Sequence, residues 1–185
     1  ITGLLDLAKR EKPNPKFGDD GFLSGIPCGA PCLWGITIDQ TTEDDVWAIL
    51  KAKGVSSECS TNISESGDHG IICNSSGFVA FGFMPNGELV NSIQFVPGKT
   101  ITLRDAIEKY GPPNLVINMP CCNTERPQAN IYLFYDKLHM ELELKAQEFM
   151  QCAIESTNEI VYITYSNLVD YNNRIDMWTN NSWVS

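Results

Sequence analysis

A Thr-x-x-Asp signature followed by a short apolar-periodic run and a glycine occurs twice, first at Thr42-Glu43-Asp44-Asp45 and again at Thr102-Leu103-Arg104-Asp105. In this pattern the threonine hydroxyl accepts from a free amide of the first turn while the aspartate reaches back to the capping amide, so each signature fixes a helix start. The first helix is predicted over 42–53, with Val46, Ile49 and Leu50 on one face and Gly54 as the stop. The second runs to about Tyr110, where Gly111-Pro112-Pro113 ends it. The two signatures stand about sixty residues apart by their numbering.

Strand signals follow each helix. Residues 78–83 and 89–96 are rich in aromatic and branched side chains, and Pro85-Asn86-Gly87 between them is hairpin chemistry. Alternation in the second of these strands puts Leu89, Asn91, Ile93 and Phe95 on one face, with Val90, Ser92, Gln94 and Val96 on the other. After the second helix a short strand is predicted over 115–118, then a hairpin of 131–135 with 138–145 around Asp136-Lys137, then a strand over 160–165. In the 138–145 strand Leu138, Met140, Leu142 and Leu144 form an apolar face, and His139, Glu141, Glu143 and Lys145 a solvated one. The fold class that follows is α+β: a helix followed by an antiparallel β-meander, duplicated, with the helices packed on one face of the sheet. Residues 1–21, with Pro, Gly and charge concentrated in 12–20, read as a linker or partly ordered segment. Residues 22–185 read as a single domain of two repeats, about 36–96 and 97–166, with a C-terminal tail. That tail is polar but holds Trp178 and Trp183, placed to dock back on the body.

Seven cysteines set the second constraint: Cys28 and Cys32, Cys59 and Cys73, the adjacent Cys121 and Cys122, and Cys152. A chain of 185 residues that is 43% hydrophobic can fold without staples, so disulfides would reinforce the fold. Cysteines at this frequency persist oxidised in secreted or envelope proteins, and point to an extracytoplasmic compartment. Cys28–Cys32 is a local pair, and Cys59–Cys73 would staple a Ser/Asn-rich loop over 56–68. One of Cys121 and Cys122 can pair with Cys152, which leaves one thiol over. The asparagines of three Asn-x-Ser triplets, Asn62, Asn74 and Asn180, are glycosylation acceptors only in a eukaryotic secretory route. Because the chain begins with Ile1, it reads as a fragment or processed product, compatible with a lipid anchor removed upstream. It contains no apolar run of the ~20 residues that a transmembrane helix needs.

The chemistry in the sequence favours binding over catalysis. A net charge of −10 argues against nucleic acid, whose affinity comes from Lys and Arg on phosphates. The cysteine spacings do not repeat as zinc sites require, and the only imidazoles are His69 and His139. His69, in Gly67-Asp68-His69-Gly70, reads as a turn residue close to Cys73, and His139 as a solvated strand residue. No phosphate loop, dinucleotide fingerprint or Gly-x-Ser-x-Gly elbow occurs, so neither a cofactor, a metal nor a catalytic residue is expected. Aromatics are the better handle: Trp34, Trp47, Trp178 and Trp183 with Tyr132, Tyr162 and Tyr165 exceed what helix stripes require, and exposed Trp and Tyr grip partners. The competing assignment puts Trp34 and Trp47 in the core, and makes the face with Tyr132 and Phe134 either a binding platform or a second packed layer. The expected function is a non-enzymatic protein-interaction or structural domain whose partner is another protein. The alternatives are a cysteine-dependent enzyme or thiol redox protein, and a small-ligand binder with its pocket between sheet and helices.

Pro27-Cys28-x-x-Pro31-Cys32-Leu33-Trp34-Gly35-Ile36, followed by Thr41-Thr42-Glu43-Asp44-Asp45-Val46-Trp47-Ala48-Ile49-Leu50, resembles uncharacterised bacterial envelope lipoproteins in which such a segment precedes a Thr-capped helix. Leu103-Arg104-Asp105-Ala106-Ile107 leading to Gly111-Pro112-Pro113 and then a meander also resembles the modules of β-lactamase inhibitor proteins and of the small lipoproteins of the outer-membrane assembly machinery. The resemblance spans about 27–165 and implies envelope localisation and protein binding. Its motifs contain no catalytic residue to carry over.

Overall fold

The computed structural model describes residues 18–63, 69–74, 77–83, 88–121, 128–148 and 154–181. A lead-in hairpin of β1 (Cys32–Leu33) and β2 (Ile36–Thr37) precedes α1 (Glu43–Ala52), which is followed by β3 (Cys59–Ile63), β4 (His69–Cys73), β5 (Val79–Phe83) and β6 (Val90–Phe95). The order then recurs as α2 (Leu103–Tyr110), β7 (Leu115–Cys121), β8 (Gln128–Tyr135), β9 (Met140–Glu148) and β10 (Ile160–Ser166), and α3 (Leu168–Asn181) closes the described chain. The eight strands β3 to β10 form one open antiparallel sheet in the order β3-β4-β5-β6-β10-β9-β8-β7. Each half is thus a meander, and the halves join at the seam where β6 pairs with β10, Phe95 opposite Ile163.

Both capping boxes form. Thr42 Oγ1 accepts from the Asp45 amide at 3.2 Å and the Asp45 carboxylate accepts from the Thr42 amide at 3.3 Å. Thr102 and Asp105 repeat the arrangement at 3.3 and 2.8 Å. The Thr102 amide and hydroxyl hold the Asp105 carboxyl below its ordinary range. A box of this kind stabilises by about 1 kcal/mol. Left-handed glycines end the first turn sequence at Gly54 (φ 73°) and cap α2 at Gly111 (φ 80°).

The wiring around the two helix starts is also the same. The Glu43 amide donates to the Glu88 carbonyl and the Val90 amide to the Thr41 carbonyl, at 3.0 and 2.9 Å. In the second half the Leu103 amide donates to Asn158 and the Ile160 amide to Ile101, both at 2.9 Å. Each helix is therefore anchored at its N-terminus to the residue that begins the fourth strand of its own half.

One sheet face buries the main core against α1, α2 and the lead-in segment. Phe22, Leu33, Ile36, Val46 and Leu50 meet Ile71, Phe81, Ile93, Phe95, Leu142 and Tyr165, all essentially inaccessible. Tyr110 of α2 donates its hydroxyl to the Phe22 carbonyl and ties the lead-in to the second half.

Several sequence expectations are corrected. Residues 56–68 are not simply a stapled loop: 56–58 make a 3-10 turn and 59–63 an edge strand, with Cys59 opposite Cys73. Polar Ser60, Thr61 and Asn62 suit this position because an edge strand needs no apolar face on its exposed side. Val90 does not oppose Ile93. A register shift pairs Gly82 with Ser92 but Phe83 with Val90, and the extra residue returns Val90 to the core face, fully buried. Strand β7 continues past 118 to Cys121, paired residue by residue with β8. The predicted turn at Pro85-Asn86-Gly87 and the opening segment 1–8 lie outside the described residues.

Candidate functional site

The outer face of the sheet, opposite α1 and α2, is divided. Over the C-terminal half α3 lies on it, and Tyr171, Ile175 and Trp178 pack with Ile117, Tyr132 and Phe134 in a second apolar cluster. Trp178 stacks on Tyr132 with ring centroids 4.8 Å apart, and the Tyr171 ring meets Phe134 edge-on at 5.9 Å. The Tyr171 hydroxyl donates to Asp136 at 2.9 Å and pins the helix to the β8–β9 turn. Tyr132 and Phe134 thus belong to a packed layer.

Of the face of β9 expected to be solvated, Lys145 is exposed, but Glu141 and Glu143 are covered. Glu141 is 3% exposed and accepts two hydrogen bonds from Arg174 of α3, Nε to Oε2 at 2.6 Å and Nη2 to Oε1 at 2.7 Å. A bidentate guanidinium–carboxylate pair is what allows a carboxylate to be buried there. Glu143, two residues on, is also largely covered; burial first, and the neighbouring Glu141 charge second, push its carboxyl up to about 7. His139 is not a strand residue: it ends the preceding 3-10 turn in the left-handed region (φ 44°), its ring 5.5 Å from Tyr171.

Over the N-terminal half no described helix covers the outer face, which forms a groove of about 240 Å³. Its floor follows from register. Asn62, Gly70, Gly82 and Ser92 lie opposite one another across β3, β4, β5 and β6, and Ile72, Ala80, Gln94 and Thr164 make the next row, ending on β10. Small side chains in both rows lower the floor. Gly70 is required there for packing as well, since a Cβ would stand 2.7 Å from the Phe81 carbonyl oxygen. Arg174, held by Glu141, forms the wall where the groove meets the covered half. Amide, hydroxyl and guanidinium groups around a shallow floor offer both donors and acceptors, which suits an extended peptide.

The aromatics singled out in the sequence are placed as follows. Trp34 is 6% exposed, its indole donating to Asp20 at 2.9 Å with Lys53 above the ring. Trp47 packs half-buried on the main core, and Tyr162 is buried with Phe78 against it. Tyr132 and Trp178 are in the α3 cluster, and Trp183 lies outside the described residues. None of the described ones lines the groove.

The cysteines form two described disulfides, Cys28–Cys32 and Cys59–Cys73. Cys121 ends β7 opposite Gln128, while Cys122 and Cys152, and with them the third pairing, lie outside the described residues. His69 is the first residue of β4 rather than part of a turn. Its Nε2 lies 3.1 Å from Glu43 on α1 and its ring stacks on Phe83. Since Cys73 is bonded to Cys59, His69 has no thiol to activate there. Among the described residues no group of three or more His, Cys, Asp or Glu could hold a metal ion, and no helix is long and apolar enough to cross a membrane.

No family model matches the chain, and neither the curated proteins nor the solved structures contain a match.

The groove was not legible as a site because its floor residues are uncharged, many of them small, and come from separate strands that only pairing brings together, while Arg174 reaches its wall from α3. The α3 cover did leave a trace, in the i, i+4, i+7 spacing of Tyr171, Ile175 and Trp178.

Proposed function

We propose that this chain is an extracytoplasmic, non-enzymatic interaction domain that takes an extended segment of a partner protein in the groove on the N-terminal half of the sheet. The observation that carries this reading is the division of the outer face: one half is sealed by α3 and an ion pair, the other is an uncovered trough of about 240 Å³ whose surface is mainly apolar with polar groups set along it. The two disulfides support an oxidising compartment, and the resemblance of the Pro27–Ile36 and helix-cap motifs to envelope lipoproteins supports a membrane-anchored setting.

The test is photo-crosslinking in the native cells from a probe at Ala80 on the groove floor and, as a control, at Lys51 on the exposed side of α1. The proposal expects a discrete protein adduct from Ala80 that Gln94→Trp abolishes, together with oxidised Cys59 and Cys73 in the same cells. Equal adducts from both positions, or free Cys59 and Cys73 thiols, would overturn it.

A further inference from the structure

We infer that Cys28–Cys32 is a thiol–disulfide exchange site, with Cys28 as the sulfur that a partner thiol meets, whereas Cys59–Cys73 is a permanent staple. The proposal stands apart from the groove and rests on what surrounds each bond. Cys28 is half-buried between exposed neighbours, with Ile26 76% exposed and Pro27 and Gly29 open to solvent. Its sulfur accepts a hydrogen bond from the Gly35 amide at 3.2 Å. Cys32 is 8% exposed, and the Thr37 hydroxyl points at its sulfur from 3.8 Å. Both sulfurs thus face donors, which stabilise the negative charge that a sulfur carries as it leaves or attacks.

The second bond is buried to a similar degree and differs in its polar neighbour and its backbone. The Cys59 sulfur lies 3.2 Å from the carbonyl oxygen of Val55, an acceptor that raises the energy of a thiolate. Its two cysteines are direct cross-strand partners, so the five pairs of the β3–β4 ladder hold the sulfurs together even after reduction.

The exchange balances without any further reagent. A partner thiolate attacks Cys28 Sγ, forming a mixed disulfide as the Cys28–Cys32 bond breaks. The electron pair leaves on Cys32, which takes up the proton that the attacking thiol gave. A second partner thiol then attacks the partner's own sulfur and releases Cys28 as the thiolate, facing the Gly35 amide. Two partner thiols are oxidised to one disulfide and one protein disulfide is reduced to two thiols. In reverse, the reduced pair takes up a partner's disulfide at Cys28, and Cys32 resolves the adduct. Apolar Ile26, open to solvent two residues before the half-buried Cys28, gives such a partner segment a surface to rest on.

The experiment equilibrates the oxidised whole protein in glutathione buffers of rising reducing strength, traps free thiols by alkylation, and maps them by mass spectrometry. Cys28–Cys32 is expected to open at a ratio of squared reduced to oxidised glutathione at least about tenfold below that for Cys59–Cys73. In Cys32→Ser a glutathione adduct should accumulate on Cys28, and in Cys28→Ser the adduct on Cys32 should form at least about tenfold more slowly. Opening of both bonds together, earlier opening of Cys59–Cys73, or faster reaction at Cys32 would overturn the inference. The wild-type titration decides the first two outcomes whether or not either variant folds.

Discussion

On the second strand of the first half the outer face carries Gly70 and Ile72, whereas the second strand of the other half carries Tyr132 and Phe134. On the third strands the contrast is Ala80 and Gly82 against Glu141 and Glu143. The backbones around these residues are wired alike, from the capping boxes to the bridges at the start of each fourth strand. Side-chain volume and charge on one face therefore decide whether a meander receives a third layer. Two rings and a carboxylate give α3 an apolar seat and an ionic anchor; glycine, alanine and serine give it neither, and the face stays open.

That contrast can be broken most forcefully at Phe134. Phe134→Ala removes a fully buried ring from beneath α3 and is expected to cost about 4 kcal/mol in urea unfolding. Arg174→Met should follow at about 3 kcal/mol, because it leaves Glu141 buried without its partner; the double variant Arg174→Met/Glu141→Leu should recover much of the loss. A smaller and pH-dependent effect belongs to Glu143, whose folded carboxyl titrates at about 7, above its ordinary 4.5. Its neutral form is the one the fold prefers, so its contribution is complete below about 4.5 and lost as the pH rises through about 7. Glu143→Gln should abolish that decline, a gain on the order of 2 kcal/mol at pH 8 and none at pH 4, read from paired unfolding curves. The smallest change is expected in the open half, where Gln94→Ala on the groove floor should stay within about 0.5 kcal/mol of the parent. A larger loss there would mean that the groove residues hold the fold together, and the distinction between the halves would fail.

The sequence displayed those features whose physics is local. Capping boxes, the glycine stops and the Asp136-Lys137 hairpin depend on residues within a turn of one another, and all are present. Alternation also placed Met140, Leu142 and Leu144 correctly in the core. What alternation could not show is what covers the opposite face. Glu141 and Glu143 have the composition of a solvated surface, and only the arrival of Arg174, over thirty positions away on the chain, makes burial tolerable. The Val90 bulge and the polar edge strand β3 were hidden for similar reasons, since a register shift and an edge position are properties of pairing. The groove is the extreme case: its floor is defined by what its residues lack.

The seam between β6 and β10 has a consequence for how the chain is made. Synthesis delivers the N-terminal half first, and its hairpins join neighbours in sequence, which close quickly. Strand β6 then waits as a bare edge, its Val90, Ile93 and Phe95 already turned inward, until β10 is released as the last strand of the sheet. Throughout that interval the newborn half exposes two edges, β3 and β6. The disulfide ties the polar β3 to its neighbour, while the apolar β6 is the edge at which a nascent chain most needs protection from another copy of itself.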